Sequence, residues 1–164
     1  MKKTYKILVS RCLLGEAVRY NGLGFDFVHP ILKKWRKNNL LIKVCPEVEG
    51  GLSTPRSPAE IQCFNGETVL KTGGIVLNKN KENVTQAFLK GAYHTLQLAK
   101  FHHIPLAILK ESSPSCGSHF IYDGTFSGVK KNGKGVTSSL LAENGILVFS
   151  ENEIEQAFSF WNNL

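Results

Sequence analysis

The sequence predicts a mixed α/β protein, a three-layer α/β/α sandwich around a mostly parallel sheet. Short apolar runs recur at residues 5–10, 40–44, 105–110 and 146–149, and they have the length and composition of buried strands. Segments with helical spacing separate them, an alternation that packs helices on both faces of a sheet. Gly, Pro and Ser cluster directly after several of the runs, where the chain must turn.

Residues 5–10 (YKILVS) form the first strand. Residues 29–39 (HPILKKWRKNN) put Ile31, Leu32 and Trp35 on one helical face, with Pro30 near the helix start. Residues 40–44 (LLIKV) form a second strand, completing a βαβ unit whose strands run parallel. Residues 46–58 (PEVEGGLSTPRSP) hold too many turn formers for regular structure. Residues 68–71 and 74–78, separated by Thr72-Gly73, are weaker strand candidates that would make a small hairpin insertion.

Residues 82–102 give the clearest helix, with Val84, Ala87, Phe88, Ala92, Leu96 and Ala99 at steps of three and four. Residues 105–110 (PLAILK) form another strand, and 111–119 (ESSPSCGSH) a second turn-forming loop. Val136–Glu143 is a helix opened by Gly135 and closed before Gly145, and residues 146–149 form the last strand. Residues 151–161 make a closing helix that Ser150 can cap, with acidic residues in its first turn. The layout is Rossmann-like or flavodoxin-like, with residues 1–164 as one domain.

Composition narrows the function classes. With 42% hydrophobic and 20% charged residues, the chain can bury a core without disulfide staples. The net charge of +7 favours anionic partners. Yet Lys2, Lys3, Lys33, Lys34, Lys37, Lys79, Lys81, Lys130, Lys131 and Lys134 are scattered. No motif organises them for RNA, so the charge permits nucleic acid and does not imply it. The start, MKKTYKILVSRCLLG, lacks the apolar stretch and cleavage site of a secretory signal, and no run is long enough for a membrane helix. The expected location is cytoplasmic, where thiols stay reduced.

Cysteine placement is the main functional signal. Cys12 follows the first strand, Cys45 ends the second, and Cys116 follows the strand at 105–110. The C-terminal strand ends of an open parallel sheet share one edge, where ligand sites form. The three cysteines should therefore meet, each in a loop rich in Gly or Pro: RCLLG, VCPEVEGG and SPSCG. Cys63, in IQCFN, falls away from a strand end and reads as a small packing residue.

Several occupants remain open on placement alone. The cysteines could simply pack in the core. A zinc site would need a fourth ligand, which His119 could supply. A [4Fe–4S] cluster takes four thiolates for plain electron transfer, so three would leave one iron open for chemistry. A dithiol redox pair of Cys45 and Cys116 lacks a CxxC motif. Beside the cysteines, Glu47 could move protons, Ser112, Ser113 and Ser115 could position water or substrate, and Lys110 and Arg56 could hold an anionic or carbonyl-bearing substrate.

The segments SRCLLG, VRYNG, CPEVEGGLSTPR, PAEI, LKESSPSCG, IYDGTF and GVTSSLL occur in this order. Together they resemble the bacterial family long described as a domain of unknown function (number five hundred twenty-three), which includes the thiouracil desulfidases. The resemblance runs from Ile7 to Glu151. It implies a [4Fe–4S] cluster on Cys12, Cys45 and Cys116, with Cys63 outside the ligand set. It implies Glu47 as acid/base, Ser113 as an active-site serine, and a small thiolated nucleobase such as 2-thiouracil as substrate. The implied reaction turns the thiocarbonyl into a carbonyl without redox change and releases sulfide. Arg11, Asn21, Ser138 and Ser139 depart from the family pattern. The rival reading is a non-catalytic module that binds zinc or nucleic acid.

Overall fold

The computed structural model describes residues 4–164, so Lys2 and Lys3 lie outside the described residues. The chain runs through β1 (Ile7–Ser10), α1 (Pro30–Lys37), β2 (Leu41–Val44), the one-turn α2 (Pro46–Glu49), β3 (Ala59–Ile61), α3 (Gly66–Lys71), β4 (Val76–Asn78) and the long α4 (Thr85–Phe101). It continues through β5 (Leu106–Leu109), β6 (Phe120–Tyr122), β7 (Lys130–Asn132), α5 (Val136–Glu143), β8 (Leu147–Ser150) and α6 (Ile154–Asn162).

Four strands form one parallel sheet in the order β2-β1-β5-β8. Strand alternation splits the core in two. Ile7, Val9, Leu106 and Ile108 face one way, onto Leu32 and Trp35 of α1 and Ile154 and Ala157 of α6. Leu8, Ala107 and Leu109 face the other way, onto Phe88, Ala92 and Leu96 of α4 and Leu140 and Leu141 of α5. Two apolar faces under helices make the expected three layers, and they explain why these strands read as continuous apolar runs. The terminal aromatics close the first face: Phe158 and Trp161 lie 5.8 and 6.0 Å from Trp35, and the Trp161 indole N–H donates to the Tyr5 carbonyl.

The switch in strand order falls between β1 and β5, because the chain leaves β1 towards β2 and later builds β5 and β8 on the other side. Crevices at such a switch are where open α/β sheets bind ligands. Register sharpens the geometry. Ser10 pairs with Val44, so the chain enters the Cys12 and Cys45 loops side by side at one edge.

Local chemistry differs from expectation outside this sheet. Residues 68–71 are helical, part of α3, because the Asn65 side chain accepts the Thr68 N–H and opens a helix there. The expected hairpin of residues 68–71 with 74–78 is therefore absent. β4 pairs antiparallel with β3 instead, and the hairpin insertion is β6–β7. The turn-rich stretch at 46–58 holds α2, begun by Pro46 at its first position. The closing helix opens with a 3₁₀ turn, Glu151–Glu153, under a Ser150–Glu153 capping box.

Two glycines fix α2 against α4. A Cβ on Gly91 would lie 1.8 Å from the Pro46 carbonyl oxygen, and one on Gly50 would lie 2.0 Å from that of Ala87. The helices touch backbone to backbone, and this contact sets where Cys45 and Glu47 stand.

Candidate active site

A cavity of about 360 Å³ opens at the switch edge, and Cys12, Cys45 and Cys116 all line it with Glu47 and Ser113. Cys12 sits in the 3₁₀ turn Arg11–Leu14, closed by Gly15 at φ 84°. Cys45 is the N-cap residue of α2. Cys116 follows Ser113-Pro114-Ser115, and its carbonyl accepts a 2.7 Å hydrogen bond from the Ser138 hydroxyl. Cys63 lies elsewhere, half-buried between β3 and α3, with its thiol directed at the Asn65 carbonyl. A larger groove of about 580 Å³ beside α1 contains no cysteine.

Glu47 is held from two sides. Arg56 sets Nε and Nη2 each 2.7 Å from Glu47 Oε2, with both side chains largely buried (8% and 14% exposed). Arg56 Nη1 also donates to the carbonyls of Val18 and Ser53 and to the Thr54 hydroxyl. The guanidinium is thus committed to protein and fixes Glu47 rather than waiting for a substrate. Lys110 is likewise engaged, with Nζ 2.6 Å from Glu151 Oε1 and 4.6 Å from the Phe25 ring centre.

Ser113 has a defined hydroxyl orientation. Its Oγ accepts the N–H groups of Ser115 and Cys116, at 3.1 and 3.2 Å, leaving its proton to point at Glu47 Oε1, 3.4 Å away. Glu47 Oε2 is saturated by Arg56, so Oε1 is the oxygen free to work in the cavity.

The Cys116 loop is organised by Glu111. Its Oε1 accepts the N–H groups of Ser112, Ser118, His119 and Phe120, and its Oε2 accepts the Ser118 hydroxyl and faces His119 Nδ1 at 3.0 Å. Burial alone would push this carboxyl up, but the His119 bond and the amides outweigh it and hold the pKa at about 2. His119 lies between Glu111 and Glu153 and does not line the cavity, so it is not placed to complete a Cys₃His zinc site. Among the described residues, no group of His, Cys, Asp and Glu is set to hold a single metal ion.

The three thiols are electrostatically coupled. Burial raises Cys12 to about 11, and nearby Cys45 adds to this against Lys110 and Arg19. Burial pushes Cys116 well above its ordinary value, with Cys45, Glu47 and Cys12 pushing the same way and Ser10 opposing. Cys45 is also raised by burial, partly offset by the Val48 and Glu47 amides of α2. Two buried thiols and one half-buried thiol that resist ionisation face one cavity, so a strongly cationic, thiophilic occupant would be needed to hold them as thiolates. An iron–sulfur cube, whose thiolates stand at separate corners, suits this donor set.

Several cavity residues gave no sequence signal of their own: Glu60, Tyr20, Tyr122 and Phe126. All four lie within the motifs VRYNG, PAEI and IYDGTF, but a lone Glu or aromatic residue carries no mark of where it will face.

A family model described as 2-thiouracil desulfurase matches residues 7–153. The chain belongs to the 2-thiouracil desulfurase family. The match contains every residue of the cavity. The uncharacterized protein YbbK of Bacillus subtilis (strain 168) is 48% identical over 151 residues, spanning 90% of this chain and 97% of that protein. A solved structure described as the [4Fe-4S]-dependent thiouracil desulfidase TudS aligns with a TM-score of 0.90 at 40% identity, over 98% of this chain and 99% of that one. The α/β/α architecture is therefore that of a known desulfidase.

Proposed function

We propose that this protein is a desulfidase that exchanges the sulfur of a thiolated nucleobase, such as 2-thiouracil, for oxygen. The observation that carries the reading is the meeting of three cysteines, from three adjacent strand ends, with an anchored Glu–Ser pair in one cavity. Cys12, Cys45 and Cys116 would hold a [4Fe–4S] cluster. With three protein ligands, that cluster supplies an open, thiophilic Lewis-acid iron when bound.

The net reaction consumes one water, converts C=S to C=O and releases hydrogen sulfide, with no electron transfer. It needs a group that takes a proton from water and returns one to the departing sulfur or the ring. Glu47 is that group, through Oε1, while Arg56 holds Oε2 and prevents the carboxylate from swinging away. The Ser113 hydroxyl steers Oε1 and can turn towards the water or the developing oxyanion. Tyr20, Tyr122 and Phe126 supply apolar walls for a flat ring. Four free cysteines suit a reducing cytoplasm, and among the described residues no helix is long and apolar enough to cross a membrane.

The test is anaerobic reconstitution followed by iron, acid-labile sulfide and sulfide-release assays on 2-thiouracil. The expected result is about four irons per chain and sulfide release. Glu47→Ala should lower kcat by about 10²–10⁴-fold with iron retained. Protein with no iron under these conditions would remove the reading.

A further inference from the structure

The loop joining β6 to β7 is built more firmly than a hairpin turn requires. Its Asp123 carboxylate accepts the Thr125 N–H and hydroxyl at 2.9 and 2.6 Å, and the Thr125 and Ser127 hydroxyls lie 2.6 Å apart. The loop is also fastened to a different element. Glu60 of β3, only 7% exposed, accepts the N–H groups of Gly124 and Phe126 on Oε2 at 2.8 and 3.1 Å. Gln62, two residues on, donates its side-chain N–H to the Gly124 carbonyl at 3.1 Å. Gly124 has φ 95°, and a Cβ there would come within 2.9 Å of the Ile61 carbonyl oxygen, so only glycine lets the loop lie this close to β3.

What this fastening holds is Phe126, at φ 57°. A bulky side chain in the left-handed region is an outlier that persists only when its surroundings impose it. Here the surroundings are the Glu60 carboxylate on its N–H and the glycine contact two residues earlier. The result is that Phe126, together with Tyr122 from the end of β6, lines the cysteine cavity. The same hairpin is rooted in the Cys116 loop, since Ser112 bridges to Ile121 and Glu111 accepts the Phe120 N–H. The aromatic wall and the thiol set are thus fixed to one another.

We propose that Phe126 is a specificity-determining residue that stacks on the ring of the thiolated base, and that Glu60 is a positioning residue that holds it there. This rests on the desulfidase reading above and adds how the ring is selected. Flat heteroaromatic thiocarbonyls gain the stacking contact, whereas an aliphatic thioamide has no aromatic ring to lay against it.

The experiment measures kcat and KM of reconstituted wild type, Phe126→Ala, Glu60→Ala and Glu60→Gln on 2-thiouracil, with iron content for each. In parallel, equilibrium binding of uracil is measured on the same proteins without cluster. Loss of one base–aromatic stack should raise KM roughly tenfold in Phe126→Ala and weaken uracil binding by a similar factor. Its kcat should stay within about threefold and its iron content should be unchanged. Glu60→Ala should shift KM in the same direction, and Glu60→Gln, which keeps an oxygen acceptor, should recover most of it. If Glu60→Ala fails to fold, Phe126→Ala and Glu60→Gln still decide. Sulfide release by wild type with an unchanged KM in Phe126→Ala overturns the proposal and leaves the desulfidase reading in place. Should wild type release no sulfide, that reading falls, and uracil binding decides the stacking: weaker binding by Phe126→Ala supports it, and equal binding overturns it.

Discussion

Glu111 offers a sharp test of how the Cys116 loop is held. The perturbation is Glu111→Gln, which keeps the shape but removes the charge around which four backbone N–H groups and His119 converge. The carboxyl titrates at about 2 in the folded chain against an ordinary 4.5. At roughly 1.4 kcal/mol per pH unit, that difference is worth about 3 kcal/mol before screening. Allowing for the half-exposed His119 partner, about 2 kcal/mol is the working figure. Because the folded pKa is depressed, the contribution is fully present above the unfolded value of about 4.5 and is lost as pH falls through about 2. The assay is urea unfolding of cluster-free wild type and variant at several pH values. The variant should be about 2 kcal/mol less stable at pH 7, a midpoint shift on the order of 1 M urea. Well under half of the gap should remain near pH 2.5. A gap that is the same at both pH values, or absent at pH 7, would refute the argument that the charge organises the loop.

Further outcomes follow from the same geometry. Cys63→Ser should retain the brown colour and iron of wild type after reconstitution, whereas Cys12→Ser, Cys45→Ser and Cys116→Ser should each lose iron; elemental analysis decides. Arg56→Met leaves Glu47 buried without its partner, at a cost of about 3–5 kcal/mol. It should also lower kcat with little change in KM, as denaturation and steady-state kinetics would register. Gly91→Ala drives a methyl into the Pro46 carbonyl. It should destabilise by about 1–3 kcal/mol and lower iron occupancy by displacing Cys45, and a stable, fully loaded variant would contradict that.

The central sheet was legible because its two inner strands are buried on both faces. Ile7–Ser10 and Leu106–Leu109 have no exposed side to interrupt them with polar residues. The cysteines were legible because topology alone sends β1, β2 and β5 to a common edge. The pieces that escaped are short. β3 and β7 have three residues each, too few to establish a period, and β7 reads KKN. The one-turn α2 is concealed in a Gly- and Pro-rich segment because its stability comes from contact with α4, not from propensity. Arg56 and Lys110 were expected to be available to substrate. Their partners, Glu47 and Glu151, are 9 and 41 residues away, and nothing local announces such a pairing.

Cys12, Cys45 and Cys116 come from three neighbouring strands and from no common local segment. An unfolded chain therefore presents no chelate: its thiols are separate, and the entropy of gathering them falls on the fold. The site comes into being only when β5 has docked beside β1, so a chain that has not completed its third core strand cannot be loaded. On the proposed ligand set, an inorganic group held by all three thiols would act as a rivet across β2, β1 and β5, and its binding free energy would become folding free energy. Occupancy of this edge would thus double as a record of correct assembly.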